Sequence, residues 1–397
     1  MRRRTASRLL PALLAPVLLA TACGGGDDTD TGGSGGQADG EPIPVGIVTS
    51  LSGPLSSYGE AYVEGLDAGL DYATDGTGAC PDGRPIEIET IDDGGDPEQA
   101  VSAATDLVGR GVTVLGGTAS SGVAVQLAPF AEENDILYLS GAAASDAITG
   151  INDNTFRAGR QTYQDVATAA TLLENASGDV LVFAQDTEFG QGNVAAVEAV
   201  LGDEGATVDS LLVPASANEF TPFAQQINDA APDLLFVAWA GDTTSAMWQA
   251  LQQQGVFDRT TVTTGLGDLA SWPAYGEEPQ DINFLAHYVS GTTDNEAADA
   301  MEEAIAEPDL FTPDGFVTAQ MVVRAVCEGD PADTASMIEA LEGWEFQAPK
   351  GMQTIRASDH AMIQPMFTAQ LTGPVGERVG EVLSTVPADE VAPPEGS

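Results

Sequence analysis

The chain has 397 residues and a formal charge of −48, set by 13 Lys and Arg against 61 Asp and Glu. That charge repels phosphate backbones and argues against nucleic acid as a partner. The two histidines, His287 and His360, are too far apart for metal-ligand spacing, and no phosphate loop, G-x-S-x-G elbow or CxxC pair is present, so neither a metal, a cofactor nor a catalytic centre is expected.

The first residues read as an export signal. Arg2, Arg3, Arg4 and Arg8 form a basic head, and Leu9 to Ala20 is an apolar stretch too short to remain as a membrane span. It closes on Leu18-Leu19-Ala20-Thr21-Ala22-Cys23, which resembles the bacterial lipoprotein cleavage box, with Ala20 where leucine is usual. The expectation is a signal peptide over 1–22 and a lipid-modified Cys23 anchored by two acyl chains on the outer face of the cell membrane. Residues 23–40 hold Gly, Ser, Thr and Asp with no large apolar side chain, a flexible tether reaching ~20–25 Å. Without the signal arginines, nine basic residues face 61 acidic ones, a net of −52. This reads as a solvated acidic surface. Lys350 is the sole lysine. Cys80 and Cys327 remain in an exported chain, which predicts one disulfide closing a very long loop or, alternatively, two buried thiols.

From residue 43 the chain alternates strand and helix. Pro44 to Ser50 is a continuous apolar strand, Tyr58 to Tyr72 a helix, and Ile86 to Ile91 alternates strictly as a strand does. Pro97 to Val108 is a helix capped by Asp96, Val112 to Leu115 a strand, Ser121 to Glu133 a helix, and Ile136 to Leu139 a strand. A second series follows. Helices are expected at 165–174, 192–201, 220–230 and 243–254, and strands at 179–184, 208–213, 234–239, 261–264 and 282–290. Helices then start near Asn295, Asp314 and Asp333, and two strands close the domain at 351–356 and 362–371. Residues 373–397 are acidic and Pro-rich and are expected to fray. The expected fold is α/β, with two doubly wound parallel-sheet lobes. Lobe 1 takes about 41–160 and 291–345, and lobe 2 about 161–290 and 346–372. Ligands of such sheets bind beyond the carboxyl ends of the strands.

The loops at those ends carry an ordered set of motifs: Ser52-Gly53-Pro54 and Tyr58-Gly59, Asp92-Asp93 with Asp96-Pro97, Ser120-Ser121, and Phe189-Gly190 after Asp186. Together they resemble the type I periplasmic binding proteins of the branched-chain amino acid class, over about residues 43 to 371. The resemblance implies a two-lobed clamshell with three crossing strands that delivers a small solute, such as an amino acid, to the permease and ATPase of an ABC importer, working as a monomer.

It also implies the site residues. Ser121, or Ser120 with a one-residue shift, would hold the solute carboxylate at a helix start, helped by backbone amides of Ala142 and Ala144. Relatives place a hydroxyl residue at Ala144; here Ser145 is one step later. Tyr58 and Phe189 would close over the solute from opposite lobes, with Trp239 as a further wall. The ammonium partner of relatives falls at Leu266, leaving Asp268, two residues on, either to pair an amine or to cap the helix that follows. A ligand-sensing receptor subunit would share all of these features.

Overall fold

Two buried sheets organise the protein. In the computed structural model, residues 40–173, 177–276, 279 and 282–395 are described. The predicted signal segment and Cys23 lie outside them, as does the tether except for Gly40.

The first sheet is formed by β1 (Ile43–Thr49), β2 (Ile86–Asp92), β3 (Val114–Gly117), β4 (Leu137–Ser140) and β5 (Thr155–Arg157), in the order β2-β1-β3-β4-β5 and parallel throughout. Helices α1 (Ser56–Ala73), α2 (Pro97–Gly109) and α3 (Ser121–Glu133) connect its strands. The interior strand β1 is buried almost end to end, whereas β2 is more exposed because it is an edge strand. Asp96 caps α2, accepting from the N–H groups of Glu98 and Gln99.

The second sheet follows a helix, α4 (Thr162–Ala170). It holds β6 (Asp179–Asp186), β7 (Thr207–Pro214), β8 (Leu234–Ala238), β9 (Thr261–Gly265) and β10 (Ile282–Ala286), linked by α5 (Glu188–Val197), α6 (Thr221–Ala230) and α7 (Thr244–Gln253). The chain then returns to the first lobe with α8 (Glu296–Ala304), α9 (Thr312–Glu328) and α10 (Thr334–Leu341). There α9 lies along α1, and Tyr62 donates to Thr318 Oγ1 at 2.8 Å.

Two expectations are corrected. A small antiparallel sheet, β11 (Glu345–Ala348), β12 (Gly351–Ile355) and β13 (Met362–Ile363), packs Phe346, Ala348, Ile355 and Met362 into the first lobe's core. Residues 346–363 therefore belong to lobe 1, and the chain recrosses only near Gln364, not after 345. The tail is also folded rather than frayed. After β14 (Met366–Thr372), β15 (Val379–Val386) adds an antiparallel strand, giving the order β15-β14-β10-β9-β8-β6-β7. Val386 and Val391 are buried against Met366, and Arg356 donates to the carbonyl of Pro393. Ladder hydrogen bonds and this small apolar cluster hold a segment whose composition suggests a loose end.

A buried ionic knot lies in lobe 1 beside the first crossing, where Asp314 packs against Gly159. Lys350 donates to Asp314 at 2.9 Å with both side chains fully buried. Beside it, Arg157 donates to the carbonyls of Ala143, Ser145 and Arg160. These bonds fix the backbone of the loop after β4 from behind.

Cys80, after α1, and Cys327, in α9, form a disulfide with Cα atoms 5.3 Å apart across a sequence separation of 247. The bridge ties the two segments of lobe 1 together, so its main effect is on the unfolded chain. Replacing both cysteines by serine is expected to lower the unfolding free energy by about 2–5 kcal/mol in urea titrations. An unchanged midpoint would contradict this.

Candidate binding cleft

The cleft is built from strand-end loops. Asp92 accepts from the N–H groups of Leu51, Ser52 and Gly94, and Asp93 accepts from Ser50 Oγ, Thr118 Oγ1 and Gly95 N. The Asp92-Asp93 pair thus pins the loops after β1 and β2. The motif glycines serve close packing. A Cβ on Gly59 would lie 1.9 Å from the Ser50 carbonyl oxygen, and one on Gly190 1.8 Å from that of Gln185. No side chain fits at either place, so α1 and α5 sit hard against the strand ends that aim Tyr58 and Phe189.

The lobes are closed on each other. Tyr58 Oη accepts from Gly241 N–H at 3.2 Å, Pro54 O from Asp242 N–H at 3.1 Å, and Ser145 Oγ donates to Glu188 at 2.9 Å. Leu269 N–H reaches the carboxylate of Asp309 at 3.2 Å. Between them lies a cavity of about 330 Å³.

Of the residues singled out from sequence, Tyr58, Ser120, Ser121, Ala142, Ala144, Phe189, Trp239 and Leu266 line this cavity. Ser120 and Ser121 divide the work. Ser120 is the N-cap of α3, its Oγ 3.4 Å from Val123 N. Ser121 Oγ accepts from Ser145 N–H at 3.2 Å, which leaves its own hydrogen to give. The N–H groups of Ser121 and Gly122, at the start of α3, meet no acceptor among the described residues. In the loop after β4, Gly141 N–H bonds Gly117 O and Ala143 N–H bonds Thr118 O, while the amides of Ala142 and Ala144 have no described partner. Four backbone donors and one hydroxyl therefore converge on one end of the cavity.

Two expected residues stand off it. Ser145 is drawn to Glu188 across the cleft rim and caps the 3₁₀ turn that follows. Asp268 takes the hydroxyl of Ser57 at 3.4 Å, outside the cavity wall, and its carboxylate makes no capping bond.

The far wall is mostly apolar. Trp239 packs against Phe183 and Phe220 and donates from Nε1 to Thr243 at 3.0 Å. Tyr58 tilts against Phe311 with ring centroids 4.7 Å apart. Polar residues that sequence reasoning passed over as site residues also line the cavity, among them Arg160, Asp165, Gln185 and His287. Arg160 and His287 sit on the crossing segments, where no periodicity marks them. Their only sequence signal is scarcity, in a chain with few arginines and two histidines.

Comparison with known proteins agrees with this geometry. A profile of the periplasmic binding protein family matches residues 42–375. The chain belongs to the periplasmic binding protein family. A solved ABC-type branched-chain amino acid transporter protein from Rhodopseudomonas palustris is 30% identical, with 88% of this chain and 97% of that one covered and a TM-score of 0.72. A Leu/Ile/Val-binding protein homolog of Brucella melitensis is 24% identical over 75% of this chain and 83% of its own length. A solute-binding protein of R. palustris, solved with p-hydroxybenzoic acid, shares the fold at 21% identity and a TM-score of 0.80, covering 88% and 98% of the two chains. As in this family generally, the protein is a two-lobed solute-binding protein.

Asp165 offers a test of the buried cleft. Burial pushes its carboxyl up to about 6, against the pull of Arg160, whose Nε lies 3.4 Å from Oδ2. The folded carboxyl thus holds its proton more tightly than the unfolded one. Its contribution to stability is present below the ordinary value of 3.8 and is lost as pH rises to about 6. Across that interval the wild type should lose stability relative to Asp165→Asn in thermal melts. Parallel pH curves for the two proteins would contradict the assignment.

Proposed function

We propose that the protein captures a small solute bearing a carboxylate and passes it to an ABC importer. The observation that carries this reading is the cluster of unpartnered donors at the start of α3 and in the loop after β4. A helix start with free N–H groups favours an anionic oxygen, and charge-assisted bonds to backbone amides are among the stronger hydrogen bonds. Nothing in the cluster recognises a cation. The amides of Ala142 and Ala144 supply donors from the loop after β4.

In this reading the solute docks on lobe 1 and the second lobe closes over it with Phe189 and Trp239. Ligand shifts the open–closed balance only through its greater affinity for the closed form. The family names of the relatives, and the importer role they carry, support delivery to a permease. Cys23 is proposed as the lipidated residue that keeps the monomer on the outer face of the membrane.

A thermal-shift screen of amino acids, hydroxy acids, aromatic acids and neutral sugars tests the reading. Carboxylic acids should be the stabilising class, and the best of them should lose about 2 kcal/mol or more of affinity in the double variant Ser121→Ala, Tyr58→Ala. Stabilisation by neutral sugars alone, or unchanged affinity in the variant, would contradict it.

A further inference from the structure

The hinge end of the cavity presents two polar atoms that the fold itself does not use. Arg160, on the first crossing, donates from Nη1 to Ala142 O at 3.1 Å and faces Asp165 through Nε. Among the described residues nothing accepts from its Nη2. His287, on the second crossing, places Nε2 2.8 Å from Leu310 O. A carbonyl can only accept, so the proton of the neutral ring sits on Nε2 and Nδ1 is left as a bare acceptor. No described donor reaches that Nδ1. Both side chains line the cavity and flank one ring. Arg160 Cζ is 5.7 Å from the centroid of Phe311, and the His287 ring is 5.5 Å from it.

We propose that Arg160 and His287 form a hydroxyl-reading subsite, so that the solute is a hydroxylated carboxylic acid without an ammonium group. A hydroxyl both accepts and donates. Its oxygen takes the N–H of Arg160 Nη2, and its hydrogen goes to His287 Nδ1. An ammonium group brings hydrogens only and would sit against the guanidinium charge. The carboxylates of the wall do not rescue it. Asp165 turns Oδ2 toward Arg160, and its Oδ1 is sealed from the cavity. Asp242 stands exposed at the rim. Leu266, also on the wall, brings no charge. Burial, with the charges of Arg160 and Lys350, holds His287 well below its ordinary pKa, so it stays an acceptor at neutral pH.

The proposal rests on the carboxylate reading above, and the experiment separates the two. Calorimetry on the mature chain compares 4-hydroxybenzoate with benzoate, and 2-hydroxy-4-methylpentanoate with 4-methylpentanoate and L-leucine. In at least one set the hydroxy acid should bind tenfold or more tighter than its deoxy and amino counterparts, since a site built for a hydroxyl rejects analogues that lack it. His287→Leu should abolish that preference. His287→Gln should retain part of it, with its amide N–H toward Leu310 and its oxygen toward the solute. L-Leucine binding tighter than its hydroxy analogue, or a hydroxyl preference that survives His287→Leu, would overturn the subsite. Carboxylates that bind without hydroxyl preference would sink the subsite alone. No binding by any carboxylate would sink the reading beneath it as well. The wild-type comparison decides even where a variant fails to fold.

Discussion

The structure turns on a set of backbone N–H groups that line the cavity and meet no acceptor among the described residues. Buried donors without acceptors are costly, about 1–3 kcal/mol each where no water or ligand reaches them. Here they collect at one place, the start of α3 and the amides of Ala142 and Ala144. The rest of the architecture keeps them there. Parallel strands end at one edge of each sheet, helix starts lie beside those ends, and the lobes meet with the edges facing. Arg157 holds the loop from behind by its carbonyls, so that the amides of the same loop point forward.

Closure is carried by a few weak bonds. Tyr58 to Gly241, Pro54 to Asp242 and Ser145 to Glu188 join the lobes at the rim, each a hydrogen bond of ordinary length. Such contacts contribute little individually. The buried pair of Lys350 and Asp314 lies within lobe 1 and does not join the lobes. The donor cluster lies wholly on lobe 1, so a solute held there shifts the balance through the contacts it also makes with the second lobe's Phe189 and Trp239.

Much of this was legible in the sequence because strand–helix alternation and helix-start chemistry are local properties. The apolar run of β1, the alternation of β2 at a sheet edge, and the serines opening α3 each announce themselves within a few residues. The clustering of Tyr58, Ser121, Phe189 and Trp239 on one cavity followed from the order of motifs. What stayed hidden was non-local. Arg160 and His287 lie on crossing segments with no periodicity, far apart in the chain, and only the fold brings both against Phe311. The last strand, β15, exposes Val379 and Leu383 and buries only its end, so its composition reads as a tail. Asp268 misled because proximity in sequence to Leu266 does not survive the turn that points its carboxylate to Ser57.

The central claim is that an anionic oxygen from the solute completes the donor cluster. Once the best carboxylic acid is known, calorimetry against its primary amide, of nearly equal size and shape, tests that claim directly. The account predicts a loss of a hundredfold or more for the amide, because its NH₂ end would face N–H groups and its charge is gone. Equal affinity for acid and amide would contradict it.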